Sequence, residues 1–313
     1  MVWKDQRIFD VVFTVVVCAV QILLAIAGVF GHSVILYATY KTKEIQTKYG
    51  MLLVQLSVIH IVCILGELTN TAFIVASIEI STMDCFYVFA VFLATMLWQS
   101  IIMMVISLDL LCAILLPLLY RKWNTHYCII ASVATCSLIS AGYICLIYHS
   151  LESHGNTLCN VHNIQSYTVS ELSEIVGFCI AALQVFIYLT CYAIVYIRAK
   201  MFMRRNKNAC YRNQHRKTMR TISVLIIVYI CTWLLSLVLT NTMYRVLDDT
   251  WRRVMAMLVG VLQMTCFVQT FYVCYHRSSE YRNIFRRLFK SMVLPEAMKC
   301  HIQRAWQVRP DSS

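Results

Sequence analysis

The chain has 313 residues, of which 60% are hydrophobic and only 13% charged, with a mean hydropathy of +0.67 and a formal net charge of +12. A soluble domain carries about 25% charged residues, so this composition cannot cover a water-facing surface, and it excludes intrinsic disorder, which needs low hydrophobicity. Eight Gly and three Pro exclude collagen-like and Pro-rich chains as well, which leaves a polytopic membrane protein.

Crossing a hydrocarbon core roughly 30 Å thick takes about 20 apolar residues in a helix. Seven runs qualify, at 11–39, 51–77, 85–119, 127–149, 171–197, 221–243 and 254–276. The first, from Val11 to Ala38, is too long for the apolar core of a cleavable signal. Barrel strands are shorter and alternate in polarity, so the runs predict an all-α membrane protein: a seven-transmembrane helix bundle over residues 1–292, followed by a short tail at 293–313. The third run is long enough to tilt or to project beyond the bilayer. No repeat relates the two halves, which argues against an inverted-repeat transporter.

Lys and Arg in short loops orient such a bundle. The segments after spans 1 and 3 carry Lys41, Lys43, Lys48, Arg121 and Lys122. The loop from Arg198 to Arg220 adds nine and the tail after span 7 adds eight. Only Lys4, Arg7, Arg245, Arg252 and Arg253 fall on the other side. The distribution places the amino terminus outside and the carboxyl terminus in the cytoplasm. It also accounts for the net positive charge without nucleic acid.

Most of the fifteen Cys lie inside apolar runs, where Cys behaves as a small hydrophobe. Cys85 starts span 3 and Cys159 lies in the loop before span 5, and no other Cys falls in an outer loop. An oxidising exterior would bridge them and pin that loop over the mouth of the bundle; the alternative is two free thiols.

Ionisable groups inside a bilayer are rare and face the bundle interior. His60 and Glu67, seven residues apart, share one face of span 2. Glu67 lies nearer the exterior and could counter a cationic ligand group, or be a neutral carboxyl bonded to a neighbouring helix. His60 with His32 reads as a structural polar contact, since two imidazoles without a third ligand do not make a metal site. Glu171 and Glu174 at the mouth of span 5 favour a basic ligand or cap that helix. No zinc-spaced pair, phosphate loop or nucleophile set is present, so neither enzyme nor cofactor is expected.

After span 7, Ser278-Ser279-Glu280 offers a helix start. Tyr281, Ile284, Phe285, Leu288, Phe289 and Met292 recur at helical spacing, with Arg282, Arg286, Arg287 and Lys290 opposite. The pattern predicts an amphipathic helix over 279–292 on an anionic inner leaflet. Cys300 beyond it reads as an unmodified thiol, with palmitoylation as the alternative.

Three stretches carry a family resemblance: SLDLLCAILLPLLY at the inner end of span 3, TMRTISVLIIVYICTWLLS in span 6, and FYVCYHRSSEYRNIFRRLF across the end of span 7. With Cys85 and Asp109 twenty-four residues apart, they resemble a rhodopsin-like G-protein-coupled receptor, and more narrowly the nematode serpentine chemoreceptors of the Srsx class. The resemblance covers spans 1 to 7 and the tail helix. It implies a plasma-membrane chemoreceptor for an extracellular small molecule or short peptide, acting on a heterotrimeric G protein. By the resemblance the ligand wall includes Phe92, Met96, Trp233, Leu237 and Thr240, with Glu67 nearby. The switch positions are Asp109, Leu110, Tyr120, Tyr229, Trp233 and Tyr272. Phe92 stands where amine receptors carry an Asp, so an amine held by that salt bridge is not expected.

The chain also departs from the rhodopsin-like pattern. The helix 1 Gly-Asn is Gly31-His32, the helix 2 Asp of the sodium site is His60, and the switch Arg is Leu110. The helix 6 Pro is Leu235, and the helix 7 Asn-Pro-x-x-Tyr appears as Thr270-Phe271, followed by Tyr272, Val273 and Cys274. A sodium site is therefore not expected, and coupling cannot use the usual arginine. A ligand-gated channel and a receptor-like protein with lost coupling are the competing functions.

Overall fold

The computed structural model describes residues 2–151, 157–161, 164, 166–203, 224, 227–240 and 249–293. The basic loop after span 5 from residue 204 onward and the tail with Cys300 lie outside them. The helices are α1 (Val2–Lys41), α2 (Lys48–Val75), α3 (Thr82–Leu115), α4 (Pro117–Lys122), α5 (Thr125–His149), α6 (Tyr167–Met203), α7 (Ile227–Thr240), α8 (Asp249–Arg277) and α9 (Ser279–Val293).

Among the described residues, six helices are long and apolar enough to cross a membrane, and α7 is a shorter apolar helix where the sixth span is expected. The seven-helix bundle therefore stands, and the chain is a multi-pass membrane protein. Helix α1 packs on α2 and α8, while α3 packs on α2, α5 and α6. Burial follows this layout. Within their most apolar windows, α3 and α8 are 56% and 61% buried, whereas α1 and α5 are 22% and 17% buried. Large exposed side chains such as Leu23 and Ile26 on α1, Leu138 on α5 and Phe186 on α6 form the lipid-facing surface.

Local chemistry sets the helix ends. Thr47 caps α2, its Oγ1 accepting from the Gly50 N–H at 3.2 Å, and Ser81 caps α3 by accepting from the Asp84 N–H at 3.1 Å. The third apolar run, read as continuous over 85–119, is two helices. It breaks at Leu116, whose φ of −123° and ψ of 55° are not helical, because a residue before proline is pushed out of the α region. Pro117 then opens the six-residue α4 as a separate arm.

At the other end of α9, Ser278 Oγ accepts from the Tyr281 N–H at 3.3 Å, which is the helix start expected there. Tyr281, Ile284 and Phe285 are buried and Arg286 and Arg287 exposed, so the apolar stripe lies on the bundle. One cation differs from its expected role. Arg282 donates from Nε to the Tyr275 carbonyl at 3.0 Å and from a terminal nitrogen to the His276 carbonyl at 2.5 Å. It caps the last turn of α8, whose free carbonyls attract a cation, rather than facing outward.

Candidate functional site

The segment between α5 and α6 is pinned over one end of the bundle. Cys85 and Cys159 form a disulfide with a Cα–Cα distance of 5.6 Å. Beside it, the two-residue strands β1 (Glu79–Ile80) and β2 (Thr157–Leu158) pair antiparallel, Glu79 opposite Leu158. The Cys159 N–H donates to the Ile78 carbonyl at 2.9 Å, and the Val161 N–H to Asn70 Oδ1 of α2 at 3.2 Å. Cys159, Val161 and Ile164 are buried. The disulfide alone would leave this segment free to rotate; together these contacts fix it against α2 and α3.

Of the six residues expected to line a ligand site, Glu67 and Phe92 fall on one side of the bundle, Trp233, Leu237 and Thr240 lie together on α7, and Met96 lies apart from both groups. Phe92, 4% exposed, lies against the backbone of α2 at Gly66, where a Cβ would collide with its ring. Glu67, 2% exposed, meets Gln21 of α1 over the backbone of α8 at Gly260, where a Cβ would collide with both head groups. These two residues belong to the side of the bundle formed by α1, α2, α3 and α8. Trp233, Leu237 and Thr240 lie on α7, and Leu237 leans on α6 at Gly177. Met96 of α3 is partly buried at the edge of the core.

Beneath Trp233 a polar cluster joins four helices. Tyr229 stacks on Trp233 with ring centroids 6.1 Å apart and planes within 11°. Its hydroxyl donates to Ser100 Oγ at 3.2 Å. Gln184 Nε2 of α6 donates to the Ser100 carbonyl at 3.3 Å, and Gln99 Nε2 reaches Cys266 Sγ of α8 at 3.4 Å. Gln99, Ser100 and Gln184 were not among the residues singled out in the sequence. The signal was present, since an amide within an otherwise apolar span is costly and marks an inward face. Tyr229 and Trp233, two of the expected switch residues, thus sit on a hydrogen-bonded link from α7 to α3 and α6.

A second polar contact crosses α1, α2 and α8. His32 Nε2 donates to the Phe267 carbonyl at 2.9 Å, which fixes its hydrogen on that nitrogen. The His32 and His60 rings lie 5.1 Å apart, and His60 Nδ1 is 3.4 Å from Thr270 Oγ1. Tyr272 donates to the Ala27 carbonyl of α1 at 3.3 Å. Thr270, Tyr272 and the two histidines therefore tie α8 to α1 and α2. Among the described residues, no group of three or more His, Cys, Asp or Glu is placed to hold a metal.

The remaining switch residues meet at the end of the bundle opposite the disulfide. Tyr120 on α4 donates from its hydroxyl to Asp109 Oδ2 at 2.9 Å. Burial, and after it the adjacent Asp109 carboxylate, raise the Tyr120 phenol above the ordinary tyrosine range, so it stays protonated as a donor. Lys48 Nζ donates to the Tyr120 carbonyl at 2.5 Å. Leu110, at the position where the resemblance called for an arginine, is 8% exposed and packs in the core. Asp109 therefore has no arginine beside it on α3.

No curated protein matches this chain. The family described as "Serpentine type 7TM GPCR chemoreceptor Srsx" matches residues 25–289, a range that takes in the disulfide, both polar clusters and most of α9. The chain belongs to the Srsx family of serpentine seven-transmembrane chemoreceptors.

Proposed function

We propose that this chemoreceptor sits in the plasma membrane with its amino terminus outside and binds an extracellular small molecule or short peptide beneath the segment pinned by Cys159. Binding favours one of two bundle arrangements and so changes the affinity for a heterotrimeric G protein at the cytoplasmic ends of α3, α6 and α7. Family membership supports the receptor role. The observation that carries the proposed mechanism is the link from the Trp233–Tyr229 stack to Ser100. A ligand that moves Trp233 moves Tyr229, which joins α7 to α3 through Ser100. Because Phe92 packs on Gly66 and offers no carboxylate, the ligand is recognised by apolar and aromatic contact, and among the described residues Glu67 is the one buried carboxyl on that side.

The test is G-protein dissociation in cells with verified surface display, screened against a library of small molecules and short peptides. Trp233→Ala and Leu110→Arg are run alongside. A ligand-dependent signal in the wild type that is lost in Trp233→Ala supports the reading. The buried Leu110 favours a second reading, a receptor scaffold with weak or lost coupling. That reading predicts a silent wild type and a gain in Leu110→Arg. Protease-accessible tags at each terminus test the orientation and separate both readings from a channel with its amino terminus inside.

A further inference from the structure

Lysine is almost never fully buried unless it is paired, and a cation in the first turn of a helix opposes the helix dipole. Lys48 breaks both rules: it is the first residue of α2 and only 8% exposed. Its surroundings explain this. The ammonium donates to the Tyr120 carbonyl at 2.5 Å and lies 4.0 Å from the centroid of the Tyr120 ring and 5.8 Å from that of Trp123, within cation–π range. The same Tyr120 carries its hydroxyl to Asp109 Oδ2 at 2.9 Å. A cation on α2, an aromatic arm on α4 and a carboxylate on α3 are thereby joined in series. The arm is set off from α3, because Leu116 before Pro117 interrupts the helix.

We propose that Lys48, acting through Tyr120 rather than by direct contact, offsets the Asp109 carboxylate where Leu110 brings no charge, and that Lys48, Tyr120 and Asp109 form a latch holding the ends of α2, α3 and α4 together. The arrangement is neutral as a whole, so loss of either charge strands the other in a part-buried site. Opening this end of the bundle requires the latch to part, so it restrains the chain in its closed arrangement. Its effect on signalling rests on the G-protein reading above; its existence does not.

The test uses the full-length protein in two arms. In the first, thermal unfolding is measured for Lys48→Met, Asp109→Asn and the pair, with Lys48→Arg as the charge-keeping control. Coupling is expected: the double variant unfolds no earlier than the worse single, and Lys48→Arg stays near wild type. Additive losses would overturn the latch. If Lys48→Met does not fold, Tyr120→Phe, which removes only the hydroxyl, replaces it in the cycle with Asp109→Asn, under the same two outcomes. In the second arm, G-protein dissociation is read without added ligand. A several-fold rise in basal signal for Lys48→Met or Tyr120→Phe is expected. A measurable wild-type signal that these changes leave unaltered or lower would overturn the restraining role. Thermal coupling with silence in every variant would keep the latch as a structural restraint and count against the G-protein reading instead.

Discussion

Replacing Cys85 and Cys159 together by Ser tests how much of the bundle's stability resides in the pinned segment. The bridge spans 74 residues of sequence. The chain-entropy relation for a closed loop of that length gives about 4.4 kcal/mol at 25 °C. That value assumes a freely flexible loop, whereas most of the enclosed chain is α3 and α5, helices that stay formed in lipid because their backbone groups have no other partners. Between the end of α5 at His149 and Cys159 lie about ten residues, and for a closed loop of that size the same relation gives a little under about 3 kcal/mol. At about 2–4 °C per kcal/mol, the double variant should melt about 6–12 °C below wild type. Thermal unfolding in detergent, followed with a thiol-reactive dye, reads this directly, because Cys63, Cys136, Cys191, Cys266 and Cys274 are free and buried until the bundle opens. Cys145→Ser, a change at an exposed free thiol, is the control. A double variant that melts within about 2 °C of that control would refute the reasoning. It would mean that the β1–β2 pairing and the Asn70 contact hold the segment without the bridge.

Gly260→Val should cost about 1–3 kcal/mol through overpacking, since its side chain would displace both Glu67 and Gln21; a melting temperature equal to wild type would show that the seam has room. Phe285→Ala should cost about 3–5 kcal/mol, because Phe285 is fully buried with its ring 5.2 Å from that of Phe271. Limited proteolysis should then cut between α8 and α9 faster than in the wild type. Arg287→Ala should change stability by less than about 0.5 kcal/mol: its ion pair with Glu44 is 3.3 Å long, but both side chains are 65% exposed. The difference in melting temperature between wild type and Tyr120→Phe should stay constant from about pH 6 to 9. The folded-state phenol is raised above its unfolded value, so its contribution is complete below the unfolded tyrosine pKa of about 10 and is lost only above it. A difference that shrinks between pH 6 and 8 would refute a protonated donor at Tyr120.

Residues that act one at a time were legible without coordinates. Apolar transfer is close to additive along a chain, so the seven runs could be counted by length. The apolar stripe on α9 followed from its period alone. Spacing also sufficed for Cys85 and Cys159, since two thiols in outer segments leave little else for each to pair with. Asp109 and Tyr120 were both marked as switch residues by their motif, but nothing in that motif shows that the two touch.

Partners were harder to read. Lys48 looked like one more cation of a basic inner loop, and only the folded chain puts it over the Tyr120 ring. Arg282 looked like part of a basic face, yet it caps α8. Phe92 faces α2 at Gly66, and Gln99 and Gln184 emerge as links between helices. The break at Leu116 was visible in Pro117, but the length of the apolar run concealed it. The sequence by itself determined the membrane class, the number of spans and the family. Those depend on burial free energies that each residue carries wherever its helix lies. The tertiary structure alone decided which buried polar groups meet, because that depends on the rotation and depth of each helix against its neighbours, set by contacts between residues as far apart as Gln21 and Gly260.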